Sequence, residues 1–153
     1  MDVKFVEKEP IRLVGVVTHG KPDEITPQMM EIWEKRFMAH EAQLKPYSVD
    51  QAYYGAWIGS PDMSADYLAG MRVEGLPEIP EGLAERVLPA AKYAVFPCTV
   101  ATIGDTYGMI YGQWLPQSIY EFDLMAADFE YYSPDSDAAE VYIPIKEKEK
   151  VGG

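Results

Sequence analysis

Cysteine is almost missing from this chain. Cys98 is the single one in 153 residues, so no internal disulfide can form and the fold rests on its core. Basic residues are scarce as well: 13 Lys and Arg stand against 25 Asp and Glu, a formal net charge of −12. That balance argues against direct nucleic-acid binding, which needs clustered Lys and Arg to neutralise phosphates. It would suit a cationic partner, although an acidic surface also serves solubility alone. No apolar run is long enough to span a bilayer, and Met1-Asp2-Val3-Lys4 lacks a signal peptide's apolar stretch. A cytoplasmic protein with no membrane association is therefore expected. The two histidines, His19 and His40, lie far apart and near no Cys or Asp cluster of ligand spacing, so no metal and no cofactor is expected. A phosphate-binding glycine loop and a nucleophile elbow are also missing, and Cys98 reads as a small buried residue rather than a nucleophile.

What the chain does contain, it contains twice. Ser60-Pro61-Asp62 follows the aromatic run Ala52-Tyr53-Tyr54-Gly55-Ala56-Trp57-Ile58, and Ser133-Pro134-Asp135 follows Asp128-Phe129-Glu130-Tyr131-Tyr132. Each turn precedes a strand-like run, Tyr67 to Val73 and Glu140 to Ile145. Counting back from the two prolines places Trp57 and Glu130 at equivalent positions. A repeated hairpin implies two related halves, and the pocket where they meet is the natural site. One half would offer it an aromatic face and the other a carboxylate.

The remaining elements repeat in the same order. Val3–Val6 and Ile11–Val17 read as strands broken at Pro10; Leu83–Leu88 and Lys92–Cys98 read as strands broken at Pro89. Thr26-Pro27 reads as a helix start, with Met30, Trp33, Phe37 and Leu44 as its apolar stripe and Pro46 as its stop. A second helix, from Thr102 to Trp114, carries Ile103, Tyr107, Ile110 and Trp114 on one face. Gly104, Gly108 and Gly112 weaken it, and a close backbone neighbour is expected to compensate. Residues 76–82 are a proline-rich connector, and Lys146 to Gly153 reads as a frayed polar tail. The expected fold is one α+β domain over residues 1–153. It comprises two β-β-α-β-β halves, about 1–75 and 83–146, related by a pseudo-twofold axis, with eight mostly antiparallel strands and two long helices around a central cleft.

Trp114-Leu115-Pro116-Gln117-Ser118, then Asp128 to Tyr132, then Val141-Tyr142-Ile143-Pro144-Ile145 resemble the C-terminal half of the GyrI-like small-molecule-binding domain. The first half matches through its order of elements and Tyr54-Gly55. This domain is the effector-binding module of multidrug-sensing regulators of the AraC and MerR classes. The resemblance implies a duplicated fold with a cleft between helices and a concave sheet, and a buried glutamate that maps onto Glu130. From pattern alone, a glutamate between Phe129 and Tyr131 would face solvent; the resemblance reverses that reading. The regulators carry a DNA-binding domain, and this chain shows no helix-turn-helix, so a stand-alone member is expected.

The candidate ligand-binding residues are Glu130, Trp57, Tyr53, Trp33, Phe37, Met71, Tyr107, Tyr111 and Trp114. Aromatic side chains beside a carboxylate suit a hydrophobic, aromatic and cationic small molecule, and methionines such as Met29, Met30 and Met38 could add an adaptable wall. Taken singly, each aromatic could equally be core. Three functions remain open: a binding module for drug sensing or sequestration, a hydrolase of cyclopropane-bearing alkylating antibiotics with Glu130 activating water, and a gyrase-inhibitor-like protein-interaction module.

Overall fold

The computed structural model describes residues 3–59 and 62–149, so the Ser60-Pro61 part of the first Ser-Pro-Asp turn lies outside the described residues. The strands are β1 (Lys4–Lys8), β2 (Ile11–Gly20), β3 (Tyr53–Gly59), β4 (Ala65–Arg72), β5 (Ala84–Leu88), β6 (Ala91–Thr99), β7 (Tyr120–Phe122), β8 (Asp128–Tyr132) and β9 (Ala138–Glu147). Three helical segments cover residues 22–37 (α1), 41–47 (α2) and 100–117 (α3). The architecture is α+β, with one antiparallel sheet in the order β1-β6-β9-β8-β3-β4-β2-β5 and β7 joined to β9.

That order is its own mirror when the first four strands are exchanged for β5, β6, β8 and β9. β1 pairs with β6 while β5 pairs with β2, and β3 meets β8 in the middle. The register pairs Gly55 with Glu130, Ala56 with Phe129 and Trp57 with Asp128. The offset in number that carries Trp57 onto Glu130 also carries Gly55 onto Asp128 and leaves the Ala56–Phe129 pair on the axis.

β1 lies at one end of the sheet and β2 next to the other, yet only Glu9 and Pro10 join them. Two residues span little distance, so the sheet must roll until its edges approach. Rolling explains a core of residues such as Leu13, Leu68, Tyr93, Val95 and Phe129, drawn from both halves and buried without a helix. Gly15 and Gly70 pair between β2 and β4, and a Cβ on either would lie 2.1 Å from a carbonyl oxygen of the facing strand. Only glycine permits that approach. The opposite face carries two separate cores. One joins Val14, Val16, Ala69, Met71 and Val73 to α1 and α2; the other joins Phe96, Val141, Ile143 and Ile145 to α3.

Several local features depart from the sequence expectations. β7 is a ninth strand, too short at three residues to leave a periodic signal. α1 begins at Pro22, one turn before Thr26, whose hydroxyl donates to the Pro22 carbonyl inside the helix. Its buried positions are Ile25, Ile32 and Phe37, while Met30 is exposed. Residues Ile32–Phe37 are π-wound, which brings side chains five apart onto one face and defeats a 3.6-residue count. A turn at residues 38–40 divides the first helix, so Pro46 sits within α2 rather than stopping a longer one. α3 likewise runs past the expected end at Trp114, with Pro116 inside its last turn. Gly104, Gly108 and Gly112 face open space rather than a close neighbour. Lys146 and Glu147 are not frayed: they extend β9 against β7, and the Lys148 ammonium donates to the carbonyls of Pro116 and Ser118.

Candidate ligand-binding site

Between the two helix-covered cores, the central strands β3 and β8 are left for side chains that reach up between α1 and α3. Alternate residues of a strand share a face. On β8 these are Asp128, Glu130 and Tyr132; on β3 they are Tyr53, Gly55 and Trp57. Tyr67 of β4 stands directly opposite Trp57. α1 supplies Trp33 and α3 supplies Tyr107.

These groups converge on Glu130, which is 3% exposed. Its Oε1 accepts from the hydroxyls of Tyr67 at 3.0 Å and Tyr132 at 2.8 Å. Its Oε2 accepts from Trp57 Nε1 at 2.9 Å and from the Tyr107 hydroxyl at 2.7 Å. Trp33 Nε1 donates to the Tyr67 hydroxyl at 3.0 Å, extending the network by one link. An ionised carboxylate offers about four lone-pair positions, and here each oxygen meets two donors. All four donors are neutral. Among the described residues, no Lys, Arg or His lies within ion-pair distance of Glu130.

Burial pushes the Glu130 carboxyl above its usual range, and the hydrogen bonds from Tyr107, Tyr132, Tyr67 and Trp57 work against that rise. Burial, followed by the charge of Glu130, holds the phenols of Tyr67 and Tyr107 well above their ordinary value, so they remain donors. Asp128 accepts from the Tyr111 hydroxyl at 3.2 Å and is pushed up to about 7, chiefly by burial and then by Glu130. Tyr107 and Tyr111 stack with 6.2 Å between ring centroids. One helix turn thus presents two phenols to two carboxyls that share a strand face.

Above Glu130 lies a cavity of about 470 Å³. Trp33, Trp57, Tyr53, Tyr107 and Tyr132 form its aromatic walls, Met29 and Met30 part of its mouth, and Glu34 an exposed carboxylate at the rim. Of the residues expected from sequence, Glu130, Trp57, Tyr53, Trp33 and Tyr107 line this space. The other four stand outside it. Phe37 is fully buried behind the wall, edge-on to Trp33 and Tyr53, because π-winding turns it into the core. Met71 is buried beneath α1 on the α1 side of the sheet. Tyr111 reaches Asp128 instead, one turn along α3 from Tyr107. Trp114 packs edge-on to Phe96 at 4.9 Å.

Tyr67, Tyr132 and Asp128 join the site without being among the residues expected from sequence. Tyr132 and Asp128 lie two residues either side of Glu130, so strand alternation alone carries their signal. Tyr67 becomes visible only once the hairpin register sets it opposite Trp57.

The profile of the family described as GyrI-like small molecule binding domain matches residues 1–146. The transcriptional regulator BrlR of Pseudomonas aeruginosa PAO1 is 31% identical over 156 aligned residues, which cover 95% of this chain and 56% of BrlR. The chain therefore spans about half the length of that curated relative. Among solved structures, a putative transcription regulation protein of Staphylococcus aureus MU50 superposes with a TM-score of 0.75 at 16% identity, covering 95% of this chain and 99% of that one. The structure of SAV2435 bound to tetraphenylphosphonium gives 0.76 at 16% identity, with 95% and 94% covered. At such identities the two structures speak for the fold.

Proposed function

Because the chain belongs to the family of GyrI-like small-molecule-binding domains, we propose that it captures lipophilic, aromatic cations in the cleft between α1 and α3, with Glu130 as their counter-charge. The observation that carries this reading is the composition of the Glu130 shell: a buried carboxylate with four neutral donors and, among the described residues, no cation. An isolated buried charge is costly. The donors offset part of that cost, and a cation entering the cleft would offset more. Tryptophan and tyrosine walls add cation–π attraction while sheathing an apolar ligand. Methionines at the mouth adapt to ligands of different outline. The tetraphenylphosphonium carried by SAV2435 is a ligand of this class.

The role follows from binding without turnover: sensing or sequestration of such compounds, alone or as the ligand-binding unit of a regulator like BrlR. A hydrolase would need Glu130 to accept a proton from water. Its lone pairs are already engaged by Tyr and Trp donors, which favours binding over hydrolysis.

Trp33 and Trp57 flank the cleft and report on it. Titration with tetraphenylphosphonium is expected to quench tryptophan fluorescence saturably, with a 1:1 endpoint and the cation recovered unchanged by mass spectrometry. Quenching that stays linear in added cation would defeat the proposal.

A further inference from the structure

A second cavity, of about 290 Å³, opens on the other face of β3 and β8. It sits where the sheet edges approach, with Lys8 and Ile11 on either side of the Glu9-Pro10 link. Phe129 and Tyr131 alternate with Glu130 along β8, so this cavity and the cleft stand back to back on one strand. Part of its wall is aromatic: Tyr54 and Tyr131 pack edge-on at 5.6 Å, and Phe129 stacks on Tyr142 at 4.4 Å, while Lys8, Asp50, Arg72 and Glu140 make the rest polar.

The charges at its rim are unequal in what they have left to bind. Asp50 already receives the Tyr54 hydroxyl at 2.5 Å. Glu140 receives the Tyr142 hydroxyl at 3.1 Å and pairs with Lys4 at 3.1 Å. The two cations are not so engaged. Among the described residues, neither Lys8 nor Arg72 has a carboxylate within 4.0 Å. Lys8 lies over the Tyr142 ring, 5.7 Å from its centroid, and among the described residues the guanidinium of the half-buried Arg72 has no ion-pair partner for its five donors. Two cations without a carboxylate partner therefore face one partly aromatic cavity, while the carboxylates at the same rim, Asp50 and Glu140, are engaged by the Tyr54 hydroxyl and by Lys4.

We infer that this cavity binds a small organic anion: a carboxylate or phosphate gripped by Arg72 and Lys8, carrying a flat ring that lies against Tyr131 and Tyr142. Guanidinium recognises both anions through paired donors. The volume falls at the bottom of the range for ligand pockets, which suits a single-ring compound and excludes the bulky cations proposed for the cleft. The two sites take ligands of opposite charge, so either can fail experimentally without the other.

The test uses benzoate and phenyl phosphate as probes and benzamide as the uncharged counterpart of benzoate, followed by 1H–15N NMR of the whole chain. At least one anion is expected to saturate with shifts centred on Lys8, Arg72, Tyr131 and Tyr142, and benzamide is expected to give none at the same concentration. The anion that saturates at lower concentration identifies the headgroup. Lys8→Gln and Arg72→Gln are each expected to weaken binding by about tenfold or more, the effect of losing one charge-assisted hydrogen bond, whereas Glu130→Gln leaves it unchanged. Lys8 is exposed, so its variant reports even if Arg72→Gln unfolds. Equal shifts from benzoate and benzamide, shifts centred on the cleft, no saturation by either anion, or undiminished binding in Lys8→Gln would each overturn the inference.

Discussion

Gly55 and Glu130 face each other across β3 and β8, and the side chain that Gly55 lacks is the space the carboxylate occupies. A Cβ at position 55 would lie 2.1 Å from the Tyr67 hydroxyl and 2.7 Å from Glu130 Oε1. Gly55→Ala must therefore displace the Tyr67–Glu130 hydrogen bond. Overpacking of this kind costs about 1–3 kcal/mol, and urea unfolding should show a loss in that range together with weaker tetraphenylphosphonium binding. A variant that keeps both stability and affinity would show that the pair is not held as described.

Trp57 has two roles that separate by substitution. Trp57→Ala removes a wall of the cleft together with the N–H donor to Glu130, so it should weaken a neutral analogue by about 1–2 kcal/mol for lost aromatic packing and a cation by more, since cation–π attraction is lost as well. Trp57→Phe keeps a ring but removes the N–H donor to Glu130 Oε2. It should therefore raise the Glu130 pKa further, as followed by carboxyl 13C NMR. An unmoved pKa would mean that the indole N–H does not stabilise the charged form.

Asp128 gives the fold a distinctive pH dependence. Its carboxyl is raised to about 7 in the folded protein, against about 3.9 for an unperturbed Asp. Within that window the folded chain holds a proton that the unfolded chain has released, so the stability this group contributes is lost as pH rises toward 7. Asp128→Asn should therefore be more stable than the parent at about pH 8, with the difference shrinking at about pH 5. A rise of this size bounds the gain at about 4 kcal/mol, less about 1 kcal/mol for the weakened Tyr111 hydrogen bond. Denaturant unfolding at both pH values checks the sign, and a gain at low pH only would contradict it.

Cation binding should follow the same protons. Asp128, raised to about 7, gains its charge as pH rises through neutrality, so the affinity for tetraphenylphosphonium should climb between about pH 6 and pH 8, and the raised Glu130 carboxyl acts in the same direction. Calorimetry in buffers of different ionisation enthalpy should detect proton release on binding at the lower end. Asp128→Asn should remove the part of the climb near neutrality. A flat profile in the parent protein would separate these carboxyls from the ligand.

How far the sequence leads depends on the kind of signal. Pro10 and Pro89 mark the breaks between an edge strand and an interior one, β1 from β2 and β5 from β6, because proline cannot join a ladder from its interior, and the paired Ser-Pro-Asp motifs place Trp57 and Glu130 on one face. The four-donor shell was half legible. Trp57 and Tyr107 stand out as aromatics, while Tyr132 needed alternation to be followed from Glu130 and Tyr67 needed the hairpin register. Phe37 was misplaced because the helix is π-wound at Ile32–Phe37, a local geometry without a compositional mark. Sequence periodicity also gives no hint that β1 and β2 lie near opposite ends of the sheet order, since that follows from long-range pairing alone.

The most direct measurement of the central claim compares two ligands of similar shape and different charge, tetraphenylphosphonium and the neutral triphenylphosphine oxide, on the parent protein and on Glu130→Gln. The substitution keeps the size of the side chain and removes its charge. The account predicts that the cation loses about 1–3 kcal/mol of binding, the range for a charge-assisted contact, while the neutral compound binds as before. Equal losses for both ligands, or none for the cation, would contradict Glu130 as the counter-charge of the cleft.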